Sequence, residues 1–265
     1  MQVKTGISTA SLFKRLYNED ALALFSEWGV QTTEVFMTSF CEYKPSFARV
    51  MKEKKGGMPV HSVHVLNTQF EPQLYNAHSR VKKDAYDWLD KAMRSAQILG
   101  AEYYTFHGIA RIKRTFQDDF DRIAPLTQEV YDFCARYKIK LAFENVEWAY
   151  YNRPSVFARL KKDCPALYGV LDIKQARISG YDYREYLREM GSSLVTVHVS
   201  DIDEGGKMCL PGRGTFDFDE LYRLLAEVGF RGAVLIESYS GDFKEVKELK
   251  DSYEFLLEKA EKFGL

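Results

Sequence analysis

Short apolar runs alternate with longer amphipathic stretches along the whole chain. The runs at 3–9, 32–37, 60–66, 103–108, 140–145, 168–173, 195–201 and 233–238 are apolar on both faces more often than alternating. That is the signature of parallel strands covered by helices. The stretches between them carry a helical period. In "NAHSRVKKDAYDWLDKAMRSAQILG", Val81, Ala85, Trp88, Leu89, Ala92 and Ala96 share one face, and Gly100 closes the helix. "NEDALALFSEWG" predicts a helix capped by Asn18 and stopped at Gly29. "DDFDRIAPLTQEVYDFCARYK" predicts another, with Pro125 in or near a kink. "RPSVFARLKKDC" opens on a proline suited to a first turn, "DFDELYRLLAEVG" is capped by Asp217 or Asp219 and stopped by Gly229, and the last helix spans about 243–263. About eight strands and eight helices follow one another in strict alternation. This predicts an α/β fold, a (β/α)8 TIM barrel in which residues 1–265 form a single domain. An open doubly wound sheet is the runner-up. Against it, neither the first βα turn, "STASLFKRL", nor any later one carries GxGxxG.

Four of the later strands end on a polar group: "KLAFENVEW" on Glu144, "YGVLDIKQ" on Asp172, "LVTVHVSD" on His198 and "AVLIESY" on Glu237. In a barrel of this kind the carboxyl ends of the strands form the active face. Three carboxylates at one mouth repel one another unless protons or a cation separate them. A lone strand-end Glu is more often salt-bridged or solvated, and a lone strand His more often a core residue. Four consecutive strands delivering ligand-type residues to one end favour a divalent cation. Two Glu, one Asp and one His form an oxygen-rich set that suits Mn²⁺, Mg²⁺ or Co²⁺, and Zn²⁺ less comfortably.

Further polar residues fall in the earlier strands: Glu34 in the second, His61 and His64 in the third, His107 in the fourth. Of the five histidines only His78 lies on a helix. The three strand histidines either line a substrate pocket or ligate a second ion with Glu144. Alternation puts His61 and His64 on opposite faces, so at most one points inward in a regular strand. "VEWAYYNR", with Trp148, Tyr150 and Tyr151, is either an aromatic platform for a sugar ring or a loop packing its own rings. "RIKR", with Arg111, Lys113 and Arg114, is either a phosphate holder or, as basic loops more often are, simply solvated. Lys174 either contacts a substrate oxygen or neutralises a ligand carboxylate.

Composition narrows the partners. The chain is 46% hydrophobic and 28% charged with a net charge of −1, so no global field draws it to nucleic acid or to an anionic membrane. No apolar run approaches the roughly 18 residues of a membrane span, and "MQVKTGISTASLFKRL" has no signal-peptide core. Cys41, Cys134, Cys164 and Cys209 form no CxxC and are expected to be reduced thiols of a cytoplasmic protein.

"AFENV", "GVLDIKQA", "VHVSD", "PGRGTFDF" and "LIESY", in that order, resemble the xylose isomerase-like barrel superfamily. That superfamily holds sugar and sugar-phosphate isomerases and epimerases, an inosose dehydratase and the endonuclease IV-type nucleases. The resemblance implies Glu144, Asp172, His198 and Glu237 as ligands of one divalent metal ion, Mn²⁺ foremost, with Mg²⁺, Co²⁺ or Zn²⁺ as alternatives and no organic cofactor. It implies Glu144 and Glu237 as catalytic proton carriers. Together with the residue readings above, His61, His107, Lys174, Gln175, Arg213 and Trp148 are the candidate substrate contacts. The expected partner is a small-molecule sugar or sugar phosphate, and barrels of this kind often pair into homo-oligomers. The implied function is a metal-dependent sugar or sugar-phosphate isomerase/epimerase working by proton transfer through an enediolate held at the metal. An inosose dehydratase-type lyase is the alternative, and an endonuclease IV-like phosphodiesterase a weaker one. The nuclease pattern matches His61 and His107 but then departs. Gln175 stands where its next ligand is a His, and "LPGRG" at 210–214 replaces its Asp-Arg-His, so the third metal site is missing. The epimerases also carry a His at the position of Gln175.

Overall fold

The computed structural model describes residues 3–66, 70–111 and 119–265. Strands β1 (Lys4–Ser8), β2 (Thr32–Met37), β3 (Val60–Val65), β4 (Tyr103–Phe106), β5 (Lys140–Glu144), β6 (Tyr168–Asp172) and β7 (Leu194–Val199) follow in order along the chain. A small hairpin, β8 (Asp201–Ile202) and β9 (Met208–Cys209), comes next, and β10 (Ala233–Ile236) completes the set. β1 to β7 and β10 are parallel to their neighbours and close into a barrel, β10 lying between β7 and β1. The helices are α1 (Asn18–Glu27), α2 (Pro45–Lys54), α3 (Ser79–Leu99), α4 (Phe120–Ala135), α5 (Pro154–Asp163), α6 (Ile173–Ile178), α7 (Tyr183–Met190), α8 (Phe218–Glu227) and α9 (Val246–Lys262). The (β/α)8 TIM barrel expected from the sequence is the observed fold.

Local chemistry explains most element ends. α3 stops because Gly100 takes a left-handed conformation, φ 76°, that its missing Cβ permits. Pro125 sits inside α4, beyond its first turn. Asn18 is not a cap: Tyr17 holds that position, and the Asn18 side chain instead donates to the carbonyl of Phe36 at 2.7 Å. Between β6 and β7 the single expected helix is two short ones, α6 and α7, the second opened by a capping box of Asp182 and Glu185.

Two apolar compartments hold the barrel together. The larger lies between strands and helices and includes Phe25, Leu89, Phe106, Phe143, Phe157 and Leu256. The smaller, made of Tyr103, Ala142, Val170 and Val195 against Tyr168, plugs the barrel near the amino ends of its strands. Above this plug the interior turns polar. Glu34, Ser62, Thr105 and Thr196 are fully buried there, and His64, His107, Glu144, Asp172 and His198 are buried near the strands' carboxyl ends. The mouth is thus built on a closed floor.

Candidate metal centre

Glu144 and Asp172 are the last residues of β5 and β6, His198 is the penultimate residue of β7, and Glu237 follows β10 directly. One donor atom from each lies within 4.8 Å of every other. His198 Nδ1 is 2.9 Å from Oε1 of Glu144 and 2.5 Å from Oε2 of Glu237. Two neighbours set Asp172. The side chain of Asn145 clamps its backbone, donating to the Asp172 carbonyl at 2.9 Å and accepting from its N–H at 2.8 Å. Oδ1 of Asp172 then accepts from Gln175 N at 2.8 Å, capping α6. The "EN" pair that ends β5 therefore supplies one side chain to the mouth and one that fixes its neighbour.

Electrostatics follow from this crowding. Burial pushes the Asp172 carboxyl up to about 6, and the nearby Glu144 and Glu237 reinforce the rise against Lys174. Burial would also raise Glu144, but His198 and His107 outweigh it and hold the group well below the usual range. For His198, burial is outweighed by Glu237, Glu34 and Glu144, so its pKa lies well above that of a free imidazole. Oε2 of Glu144 and Oε2 of Glu237 are buried without a well-aligned hydrogen bond. Those lone pairs, with converging carboxylates and one imidazole, fit a divalent cation. Glu144, Asp172, His198 and Glu237 would hold it.

A second group of donors shares Glu144. His64 Nε2 and His107 Nε2 face each other at 2.8 Å, and His107 Nε2 is 3.1 Å from Oε2 of Glu144. Each ring has a carboxylate behind it: Glu34 stands 3.3 Å from His64 Nδ1, and Glu71 stands 3.2 Å from His107 Nδ1. Burial would lower the His107 pKa, but the carboxylates of Glu144 and Glu71 on either side raise it to about 10. Two imidazole nitrogens and a carboxylate oxygen are a set that binds a second cation or a substrate oxygen.

A cleft of about 250 Å³ opens over these residues, walled in part by Phe13, Phe36, Trp148 and Tyr239. A roomier one of about 530 Å³ adjoins it and shares Phe13 and Phe36. The structure brings four of the six expected substrate contacts to the cleft. His107 packs on Trp148 with ring centroids 5.3 Å apart. Lys174 Nζ lies 3.8 Å from Oδ2 of Asp172 and 4.2 Å from the centre of the Tyr239 ring. Gln175 lines the wall, and its Oε1 accepts from Glu147 N at 3.1 Å.

The other two lie elsewhere. His61 sits with the floor plug, its Nε2 2.9 Å from Thr196 Oγ1 and its ring 4.9 Å from that of Tyr103. The alternation rule does not hold at this point because β3 is not regular. The pairing steps from Thr33↔Val60 to Glu34↔Ser62, which leaves His61 as the extra residue of a bulge. His61 and His64 both reach the barrel interior, at different depths. Arg213 is exposed and paired with Asp251 of α9 at 3.2 Å. Tyr150 and Tyr151 are buried in the strand–helix core, which leaves Trp148 as the ring of that loop that faces the cleft. Lys113 and Arg114 fall outside the described residues, and Arg111 is 3.3 Å from Oε1 of Glu147. All four cysteines are free. Glu71 and Asn145 went unnoticed in the sequence. Neither lies in a periodic pattern, and only the order "EN" after a strand hinted at the second.

Together the closed parallel barrel and the carboxylates and histidines at its mouth define a class of (β/α)8 protein. Residues 22–259 match the xylose isomerase-like TIM barrel family, and the chain belongs to it. An uncharacterized protein of Mycobacterium tuberculosis is 24% identical over 272 residues, covering 93% of this chain and 92% of that one. A solved D-psicose 3-epimerase from Clostridium cellulolyticum H10, determined with D-tagatose, has a TM-score of 0.79 at 16% identity, over 98% of this chain and 99% of that one. A D-tagatose 3-epimerase-like protein also reaches 0.79, at 20% identity, over 99% of this chain and 98% of that one. No helix among the described residues is long and apolar enough to cross a membrane.

Proposed function

We propose that the protein is a divalent-metal-dependent sugar isomerase or epimerase, in which Glu144 and Glu237 move a proton next to a carbonyl. The observation that carries this reading is the convergence of Glu144, Asp172, His198 and Glu237 on one centre. The D-psicose 3-epimerase and the D-tagatose 3-epimerase-like protein that share the fold add support. When bound, the cation, for which Mn²⁺ suits the donors best, would supply Lewis-acid charge for substrate oxygens. The chain's own residues do the rest. Glu144 and Glu237 come from strands on different sides of the mouth, so one can remove a proton and the other return it. His107 and Lys174 present donors to hydroxyl or carbonyl oxygens, and Trp148 offers a face to the C–H side of a sugar. Phe13, Phe36 and Trp148 would flank the exchanging carbon with apolar surface.

The test is solvent deuterium exchange into a panel of ketoses and inososes with Mn²⁺ present. Glu144→Gln and Glu237→Gln should each lower exchange by about 10²-fold or more while the fold stays intact. Robust exchange in both variants removes the scheme. Loss of water from an inosose would move the assignment to a dehydratase. A second reading, hydrolysis of a phosphate ester with two cations, is favoured by the facing nitrogens of His64 and His107 beside Glu144. Stoichiometry separates the two: one tightly held ion per chain supports proton transfer, and two support hydrolysis.

A further inference from the structure

We propose that Glu34 is the positioning residue of this centre: one buried carboxylate sets the tautomer and orientation of His198 and His64 together, and thereby the affinity of the mouth for a divalent cation. This rests on the cation reading given above.

Glu34 lies mid-way along β2 and is fully buried. Its Oε2 accepts from Ser62 Oγ at 2.7 Å and Thr105 Oγ1 at 2.6 Å, and its Oε1 accepts from Ser8 Oγ at 3.2 Å. The same Oε1 is 3.3 Å from His64 Nδ1 and 3.2 Å from His198 Nε2. The His64 contact is a hydrogen bond. The His198 contact is at ion-pair distance but off the line of a straight one. An ionised carboxylate has about four acceptor sites. Four hydrogen bonds from β1, β3 and β4 fill them, with His198 of β7 at ion-pair distance, so Glu34 is not free to be a ligand, although it lies among possible donors with His64 and Glu237. Three hydroxyls on three strands hold it, so the barrel wall sets its position.

A carboxylate only accepts, so a ring nitrogen hydrogen-bonded to one carries the proton. Nδ1 of His198 is hydrogen-bonded to Oε1 of Glu144 at 2.9 Å; with a cation on that nitrogen, the proton would stand on Nε2, 3.2 Å from Glu34. Nδ1–H of His64 toward Glu34 leaves Nε2 toward His107. The two rings are nearly parallel, 14° between planes and 6.3 Å between centroids, as two rings referred to one oxygen would be. Glu71 serves His107 alone, holding its Nδ1 while the Tyr104 hydroxyl donates to the other oxygen at 2.5 Å. Glu34 differs in linking both groups of donors. Partners of this kind typically contribute about 10–100-fold to metal affinity.

The experiment uses the full chain, stripped with chelator, with Mn²⁺ binding followed by the electron paramagnetic resonance of the free ion. Glu34→Gln should bind Mn²⁺ about 10–100-fold more weakly at unchanged circular dichroism, because an amide offers one acceptor oxygen in place of two. Imidazole ¹⁵N–¹H spectra of the wild type loaded with Zn²⁺, a diamagnetic stand-in, should show the proton on Nε2 of His198 and on Nδ1 of His64. A purely structural role for Glu34 would move neither signature, and the spectra need no variant that might misfold. Equal Mn²⁺ affinity in wild type and Glu34→Gln, or a His198 protonated on Nδ1, overturns the proposal while leaving the cation reading standing. A wild type that takes up no divalent ion removes that reading and this one with it.

Discussion

A half-buried imidazole set between a hydroxyl and an aromatic ring has no carboxylate beside it to stabilise a positive charge, and His61 is placed that way beside Thr196 and Tyr103. Burial pushes its pKa from 6.5 down to about 4, overriding the more distant Glu34 and Glu102. Between those pH values the unfolded chain takes up a proton that the native chain refuses. Stability present above about pH 6.5 is therefore lost as pH falls toward 4, by ~3 kcal/mol at most. His61→Gln keeps a partner for Thr196 and lacks this proton. Urea unfolding should show the wild type losing more stability than the variant between pH 7 and 4.5, and equal losses would dismiss the assignment. The sequence showed His61 to be a strand histidine but not how deep it lies. Depth depends on the register of β3 against β2, and a bulge shifts it by one residue. Glu71 was hidden for a related reason. Its partners, Tyr104 and His107, are more than thirty residues away along the chain.

At the scale of elements, the loop after β7 is organised by a residue other than the one expected to act there. "PGRGTFDF" drew attention to Arg213, but the motif is organised around Asp201. That buried carboxylate accepts from the backbone N–H of Ile202 at 2.7 Å, Phe216 at 2.9 Å, and Gly212 and Gly214 at 3.0 Å each. Gly214 is required because a Cβ there would fall 2.2 Å from the carbonyl oxygen of Ile202. Asp201→Ala should cost about 2 kcal/mol or more, since it leaves loop N–H groups unpaired. Arg213→Ala should stay within about 0.5 kcal/mol, because its ion pair with Asp251 is exposed. Chemical denaturation of the two variants checks both, and a reversed order would refute this account of the loop. Strands were legible to within a residue or two at most ends, since a run buried on both faces is a local signal. The division of the segment between β6 and β7 into α6 and α7 was not, because α7 restarts at a capping box of Asp182 and Glu185 after α6 has ended at Ile178.

Across the whole molecule, the cation reading has a consequence for stability. A ligand that binds only the folded chain adds about 2.7 kcal/mol at a hundred times its dissociation constant. For a chain of this size that raises the Tm by roughly 5–10 °C. Scanning calorimetry of chelator-treated protein with and without Mn²⁺ should show this rise in the wild type and a smaller one in Glu144→Gln. A Tm indifferent to every divalent ion would speak against the centre. The sequence by itself determined the order of strands and helices and the residue types standing at each strand end, because periodicity and burial are written within a few neighbouring positions. Only the tertiary structure decided which of those ends meet, that His64 rather than His61 faces His107, and that Glu34 lies between two histidines. Closure of the barrel and the stagger between neighbouring strands set those distances, and neither is a property of any one strand.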